Sequence, residues 1–494
     1  VSVKIVYKDI AVGAAETAAV ATTSRQGFSD TSQIFAGVEP PAITTCELNG
    51  WGLSHDYKTY NNQPIAFWSS VRSGYDCVFT SPPTITILWG NLNYTSTGLS
   101  IKFAPESNDY CRKITVTWYQ DNTAKFSGTY YPNTAQYVIN QTVEAFDKIV
   151  IVFNETNLPV KRCKINGITI GVVREFEADE LKNVSAVHEV ELISETVPIN
   201  VLDAEIRSKD DIDWIFQKKQ PIEAYNDGNL IGVYYMEQGQ RSGKYDFSIS
   251  CHDAIGLLDL AATAGGLWIE DTPITTIINE AIKSPVEFEI DTAYKNSTLR
   301  GFIEPGQTER EALQQIAFAL GAIVDTSATG KIRLCPPPSD DYTAIPPKKT
   351  YTGGTVETSD TVTGVTVTAY VIFDERPGDD DEFIEFNGVE YRYYTSTKHA
   401  TNPNTVTSDP ENIKTFDKSY LCNLSNAQTL ADNIMAYYMR RNKYSFTHVL
   451  DGQTPAGRYH ALLPWDDEAN GNITKMTITT SNLTVSSTEM LLDE

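Results

Sequence analysis

Basic residues are in short supply in this sequence. Thirty-nine lysines and arginines stand against 64 aspartates and glutamates over 494 residues, a net charge of −25. A surface of that sign repels phosphate backbones, so stable nucleic-acid binding is not expected. Histidine is scarcer: His55, His188, His252, His399, His448 and His460 include no H-x-x-x-H and no H-E-x-x-H, which excludes the usual zinc-hydrolase signature. The seven cysteines (Cys46, Cys77, Cys111, Cys163, Cys251, Cys335 and Cys422) form no C-x-x-C. That excludes a zinc ribbon, and the odd count excludes a complete disulfide framework. Free buried thiols are the expectation. No apolar run approaches the roughly 18 residues needed to cross a bilayer, so membrane insertion is not expected.

What is present can build cores. Hydrophobic residues make up 41% and aromatics 11%, and the length suits about three domains at roughly 150 residues each. Residues Val1 to Ala21 lack a basic head followed by an apolar core, so they do not read as a secretory signal. The expectation is a chain folded in a reducing cytosol. No cofactor is called for by any motif.

One stretch organises the rest. Thr308 followed three residues later by Glu311 is a capping box, and Leu313, Ile316, Ala317 and Leu320 recur at helical spacing. Gly321 stands where a left-handed terminating residue belongs. Ala322 to Asp325 and Lys331 to Leu334 then read as a hairpin. The spacing predicts a packing module, without a catalyst among its residues.

Taken in order, the chain divides into five expected parts. Residues 1–67 read as strands and loops, including a strand around Thr44 to Asn49 and a loop at Asn61, Asn62 and Pro64. Residues 68–172 are dense in alternating runs, with a loop at Gly90 to Gly98, and predict an antiparallel sandwich. Residues 173–262 carry long hairpins, one at Asp227-Gly228, and predict a small β-barrel. Residues 263–345 predict an α+β lobe, with a further helix opened by Thr272 as N-cap and Pro273. Residues 346–494 predict a second barrel from Gly364 to Phe373, the Asn387-Gly388 hairpin, Tyr444 to Leu450 and Lys475 to Val485, with a helix over 425–442 capped by Ser425. The fold class is mainly β with a minor α+β part.

Candidate chemistry is thin. His252 beside Asp253 suggests a dyad, yet Ser250 and His252 fall on one strand face, where sequence neighbours rarely form a triad. Asp379, Asp380, Asp381 and Glu382 are clustered carboxylates without the alternating spacing of a calcium loop, and read as a solvated charge run. Asp210, Asp211 and Asp213 near Trp214 admit a glycosidase pair, but carboxylate pairs are common among 64 acids. Trp89 and Tyr94, at or within the Gly90 to Gly98 loop, are the candidate carbohydrate-binding residues, since their rings could stack on a sugar; Trp89 also fits a core strand position. No catalytic or metal-ligating set is assigned, and the chain is not expected to be an enzyme.

Two resemblances follow from particular runs. Lys113 to Trp118, Lys148 to Phe153 and Lys164 to Ile168 make the first 100-residue β region resemble a discoidin or galactose-binding-like jelly roll. From Phe176 onward the order is hairpin-rich barrel, then Asp253-Ala254-Ile255-Gly256-Leu257-Leu258-Asp259, helix, then Glu311-Ala312-Leu313-Gln314-Gln315-Ile316-Ala317. With a second barrel-like unit, this is similar to the tail-tip or baseplate hub proteins of bacteriophages and phage-tail-like particles. The resemblance implies two related barrels, a homotrimer, and contacts with a tail tube protein, a tape-measure protein and a spike, fibre or lytic tail-tip protein. It implies a place at the virion tail tip after assembly in the bacterial host cytoplasm. The sandwich ahead of the first barrel departs from the family pattern, and suggests an accessory contact with host or cell-surface glycan. No peptidase or lysozyme segment is recognised up to Glu494, so a lytic role is not expected. The alternative reading is a secreted carbohydrate-binding or glycan-cleaving protein.

Overall fold

The computed structural model describes residues 3–11, 13–27, 29–35, 43–44, 59–60, 66–104, 108–209, 218–338, 342–351, 353–379, 381–406, 410–455, 457–465, 467–481 and 483–493. Most of the expected strand and loop around residues 44–65 lies outside them, as do Asp210, Asp211, Asp213, Trp214 and Asp380. The described chain is mainly β, with five α-helices. It divides into two compact units, Val6–Glu175, and Val1–Ile5 with Phe176–Glu494.

In the first unit, β1 (Ala19–Thr22), β2 (Thr84–Leu88), β3 (Tyr94–Lys102), β4 (Cys111–Gln120), β5 (Thr123–Tyr130), β6 (Gln136–Phe146), β7 (Lys148–Thr156) and β8 (Gly167–Thr169) form two sheets. One runs β1-β2-β7-β4-β5 and the other β6-β3-β8. Strand alternation puts every second side chain on one face, and the register aligns them. Ile149 stands between Ile87 and Trp118, and Ile151 between Ile85 and Val116. These rows join Leu99, Ile101, Ile139 and Ile168 of the other sheet in one buried core. The turn from β4 to β5 places Asp121 and Asn122 at positive φ, 49° and 63°, a conformation that short polar side chains tolerate best after glycine. The expected loop to Gly98 is shorter: Tyr94 already opens β3.

The second unit contains an internal repeat. Its first segment comprises β9 (Leu181–Glu189), β10 (Val201–Arg207), β11 (Pro221–Asn226), β12 (Asn229–Arg241) and β13 (Asp246–His252). After it come α1 (Ala254–Asp259), β14 (Gly266–Pro273), α2 (Ile274–Ala281), β15 (Phe288–Ile290), β16 (Thr298–Ile303), α3 (Glu309–Leu320), β17 (Ile323–Asp325) and β18 (Ile332–Cys335). The second segment opens with β19 (Thr355–Thr358). An insertion follows, made of β20 (Gly364–Ile372), β21 (Glu382–Phe386), β22 (Val389–Thr401), β23 (Ile413–Phe416) and α4 (Ala427–Met439). It resumes with β24 (Asn442–Val449), β25 (Arg458–Leu462), β26 (Glu468–Ser481) and β27 (Leu483–Leu492).

Counted in chain order, the strands of both segments lie first–second–fifth–fourth–third, and every pairing between them is antiparallel. Even the irregularities coincide. The fourth strand of each bulges opposite the fifth, between Met236 and Gln238 in one and between Ile473 and Lys475 in the other, and bulges bend a strand at a chosen place. Asp227-Gly228 closes the β11–β12 hairpin with both residues at positive φ, as its sequence requires.

Gly364 to Phe373 and the Asn387-Gly388 hairpin were expected in the second barrel. They form a separate four-stranded sheet, β21-β22-β20-β23, inserted between the first and second strands of that segment. The reason is apolar: Val365, Val367 and Ala369 of β20 are buried with Leu430, Ala431 and Ile434 of α4 and with Leu313, Ile316 and Ala317 of α3. Strand β20 thus completes the core of the helical lobe. Helix α3 has the expected capping box at Thr308 and Glu311, and Gly321 ends it at φ 63°. β17 and β18 pair as the expected hairpin. Two expected caps differ. Helix α2 starts at Ile274, with Thr272 and Pro273 still in β14. Helix α4 starts after Asn426 without a side-chain cap, because the Ser425 hydroxyl donates to Asn423 instead. Gly301 is required where β16 passes the chain before Leu421: at φ 145°, a Cβ there would lie 2.2 Å from the Tyr420 carbonyl oxygen.

Candidate functional surface

The two repeats are joined edge to edge. β9 of the first pairs antiparallel with β26 of the second, Ser185 opposite Thr479, Val187 opposite Thr477 and Glu189 opposite Lys475. This pairing makes one continuous order, β11-β12-β13-β10-β9-β26-β27-β24-β19. Alternation then sorts the side chains by face. Ala186, His188, Leu202, Ala204, Ile249, Cys251, Met476, Ile478 and Met490 are buried on one side. The other side carries Asp203, Glu205, Ser248, Ser250, Gln238, Gln240, Asn183, Ser185, Thr477, Thr479, Ser487, Ser445 and Thr447, each exposed or half-buried.

That outer face is hydroxyl- and amide-rich and carries more carboxylates than cations. Three of its cations are engaged, Lys475 with Glu189 at 3.1 Å, Lys443 with Glu489 at 2.9 Å, and Lys182 with Asp246 at 2.5 Å. The hydrogen bond from Lys182 is the main cause holding the Asp246 carboxyl below its usual range. Asp203 accepts from the Ser250 hydroxyl at 2.7 Å. A shallow depression over the first repeat is lined by Asn183, Asp203, Glu205, Gln238, Gln240, Ser248 and Ser250, without an aromatic ring. A polyanion would meet uncompensated carboxylates there and be repelled within about a Debye length, roughly 8 Å at physiological salt.

Beneath this sheet lies a polar knot. Asp253 caps α1, accepting from the Ile255 and Gly256 amides at 3.1 and 3.4 Å, and takes a further bond from the Thr326 hydroxyl at 2.6 Å. Asn200 donates to Thr326 at 2.9 Å and accepts from the Glu189 amide at 2.8 Å. Burial pushes the Asp253 carboxyl up to about 6 against these bonds. His188 meets the Tyr234 hydroxyl, and burial pulls the imidazole down to about 4.

The sequence candidates separate. Ser250 is engaged with Asp203, while buried His252 turns Nδ1 toward its neighbour's carbonyl, Asp253 O, at 2.9 Å. Asp381 accepts from the Gly378 amide at 2.9 Å, a turn contact rather than a cation site. Among the described residues no group of three or more His, Cys, Asp or Glu side chains is placed to hold a metal. Trp89 is only 3% exposed. Its Nε1 donates to Ala14 O at 2.7 Å and its ring packs 5.4 Å from Phe146, so no face is left for a sugar. The Tyr94 hydroxyl is engaged with Gly13 O at 3.0 Å and Thr17 Oγ1 at 2.7 Å. The pair anchors the turn at residues 13–17. Sequence reasoning missed the seam residues, because Val187, Thr477 and Thr479 alternate as any half-exposed strand does.

No protein-family profile matches the chain, and no curated protein matches it. Among solved structures it is similar to the tail protein from Neisseria meningitidis MC58, at 15% identity and TM-score 0.46, over 65% of this chain and 94% of that one. It is similar to the 43 kDa tail protein of prophage MuSo2 from Shewanella oneidensis, at 10% identity and TM-score 0.45, over 64% of this chain and 95% of that one. A third likeness is to the family 32 carbohydrate-binding module of C. perfringens NanJ, solved with galactose, at 12% identity and TM-score 0.21, over 34% of this chain and 99% of that one. All three scores lie below 0.5, and the function proposed next is carried by the chain's own surfaces.

Proposed function

We propose that this chain is a non-enzymatic hub at the tip of a phage or phage-like tail, acting as a homotrimer that joins the tail tube to a spike, fibre or lytic component. The observation that carries the reading is the repeat: two segments of one strand order share a sheet with a polar, carboxylate-bearing outer face. Three chains would offer six quasi-equivalent segments to a sixfold tube above, and three identical ones to what lies below. Lining the bore with hydroxyls and carboxylates lets DNA or a tape-measure protein pass without sticking. Such a hub sits at the virion tail tip and is assembled in the bacterial host cytoplasm. In this reading the sandwich, the α+β lobe and the two β segments act as distinct domains. Native mass spectrometry tests it: a species of three times 54.8 kDa is expected, and a strictly monomeric chain at all concentrations contradicts it.

A second reading concerns the sandwich alone, as an accessory glycan contact. Tyr75 is 90% exposed. Its neighbour Asp76 accepts from Arg112 through the backbone carbonyl, and Arg112 pairs with Glu155 at 2.9 Å. An exposed ring is a stacking face of the kind that a sugar can use. A glycan array with the intact chain tests this role.

A further inference from the structure

Aromatic rings from four parts of the second unit meet on one face of the inserted sheet. Tyr370 of β20 and Tyr393 of β22 have ring centroids 5.9 Å apart, and Tyr420 lies 4.4 Å from the first and 6.1 Å from the second. Phe302 of β16, only 4% exposed, is the buried member of the cluster, 5.9 Å from Tyr420 and 6.1 Å from Phe386. The register brings the tyrosines together. Tyr370 faces Thr395 and Ile372 faces Tyr393, so alternation puts Tyr370 and Tyr393 on the same side of the sheet. Glu382 faces Tyr393 from β21 and shares that side. The Tyr370 amide donates to Cys422 O at 2.7 Å, which holds the Tyr420 segment alongside β20.

Three features set this cluster apart from a core. Tyr370, Tyr393 and Tyr420 are only half-buried. Among the described residues none of their three hydroxyls has a hydrogen-bond partner, whereas tyrosines that serve a core alone usually find one. Around them stand the exposed carboxylates of Glu304, Glu382 and Asp417. Burial raises the Tyr420 hydroxyl, and the charges of these same three carboxylates raise it further. Among the described residues none of the three is paired with a cation. The cations next to them in sequence are engaged elsewhere. Arg392 alternates to the opposite side of the sheet and pairs with Glu375 at 3.0 Å, and Lys418 pairs with Glu195 at 3.3 Å.

We propose that Tyr370, Tyr393 and Tyr420, with Glu304, Glu382 and Asp417, form a docking site for a basic segment of a partner protein, whose arginine or lysine lies on the rings. A cation within roughly 6 Å of a tyrosine ring is drawn to its negative face. A guanidinium suits such a site best, because it can stack on a ring and fork to a carboxylate together. Uncompensated carboxylates beside the rings supply the opposite charge, and tyrosine is enriched where protein surfaces meet. A second copy of this chain is a poor source of the cation, with 39 basic residues against 64 acidic ones. The site does not depend on the hub reading, since a chain that never forms a trimer would still take the basic segment.

The experiment is calorimetric titration of the full-length chain, at physiological salt, with an amidated hexapeptide of alternating glycine and arginine. The arginine peptide is expected to bind and its glutamate counterpart is not. Tyr420→Ala, which leaves the net charge unchanged, should weaken binding about 2- to 30-fold. Tyr393→Ser is the second ring variant, should the first fold poorly. The triple variant Glu304→Gln, Glu382→Gln, Asp417→Asn should weaken it about tenfold or more. Glu16→Gln, Glu144→Gln, Glu289→Gln removes as much charge at exposed positions elsewhere, and should change it less than about twofold. Equal weakening by the two triple variants, or no binding of the arginine peptide, overturns the site. Choline bound in place of the peptide overturns the protein partner, as does a change of oligomeric state in the first triple variant, which would make a second copy the occupant.

Discussion

Glu189 and Lys475 face each other across the joint between the two repeats, as Cα partners in the ladder and as an ion pair of 3.1 Å. Their side chains are 46% and 37% exposed, so the charge pair itself is worth under about 1 kcal/mol. The joint is held instead by the buried row behind it. Ile478, 4% exposed, sits opposite Ala186. Lys475→Ala is therefore expected to shift stability in urea by less than about 1 kcal/mol, and Ile478→Ala to cost about 2–5 kcal/mol. Equal costs for the two substitutions would contradict this ranking.

Asp253 gives the second unit a pH signature. Burial raises its folded pKa to about 6 from the ordinary carboxyl value of 3.8. A raised carboxyl contributes stability that is fully present below 3.8 and lost as pH rises through about 6. His188, held down to about 4 from 6.5, acts oppositely: its contribution is present above 6.5 and lost as pH falls toward 4. Both proteins in a comparison with Asp253→Asn retain His188, so its effect cancels. The stability of the natural chain relative to Asp253→Asn should rise by up to about 3 kcal/mol from pH 7 to pH 4, at about 1.4 kcal/mol per pKa unit. Parallel curves from denaturant titrations across that range would show Asp253 not to be the titrating group.

The sandwich carries a buried ion cluster. Asp109 meets Lys164 at 2.7 Å and Lys161 at 3.3 Å, with side chains at most 4% exposed. Removing the shared carboxylate takes away the common counter-charge of two buried ammonium groups, so Asp109→Ala should destabilise the Val6–Glu175 unit by about 3–5 kcal/mol. A loss below about 1 kcal/mol in thermal or urea unfolding would mean that water reaches the cluster.

How much of this could be read from residues alone differs by element. Helix α3 was legible because Thr308, Glu311 and Gly321 are local signals whose meaning does not depend on distant chain. The Asp227-Gly228 and Asn387-Gly388 turns were legible for the same reason. The repeat was harder, since equivalent positions share burial but not identity: Leu202 matches Tyr444, Cys251 matches Met490, and Met236 matches Ile473. Alternation says that a strand has a buried face and is silent about which strand lies beside it. For that reason alternation alone points β20 to the second barrel, although its Val365, Val367 and Ala369 complete the helical lobe. Trp89 and Tyr94 misled in another way, because an aromatic at a strand end reads the same whether its ring faces a ligand or, as here, a turn of its own chain.

Those two readings of the sandwich make contrasting forecasts. Trp89→Ala should cost about 3–5 kcal/mol of stability by emptying a core site, whether or not sugar is present. Tyr75→Ala, at an exposed position, should change stability by no more than about 0.5 kcal/mol and remove any signal on a glycan array. An array signal that survives Tyr75→Ala would place the sugar contact elsewhere.

In the proposed hub, three copies of this chain close a ring whose bore is the shared polar sheet face. Cryo-electron microscopy of the purified protein, or of its particle, measures this directly. The expected result is a closed ring of three chains, with two pseudo-equivalent segments per chain and with Asp203, Glu205, Gln238 and Thr477 turned toward the axis. Six copies in the ring, or a bore lined by another surface with this face turned outward, would contradict it.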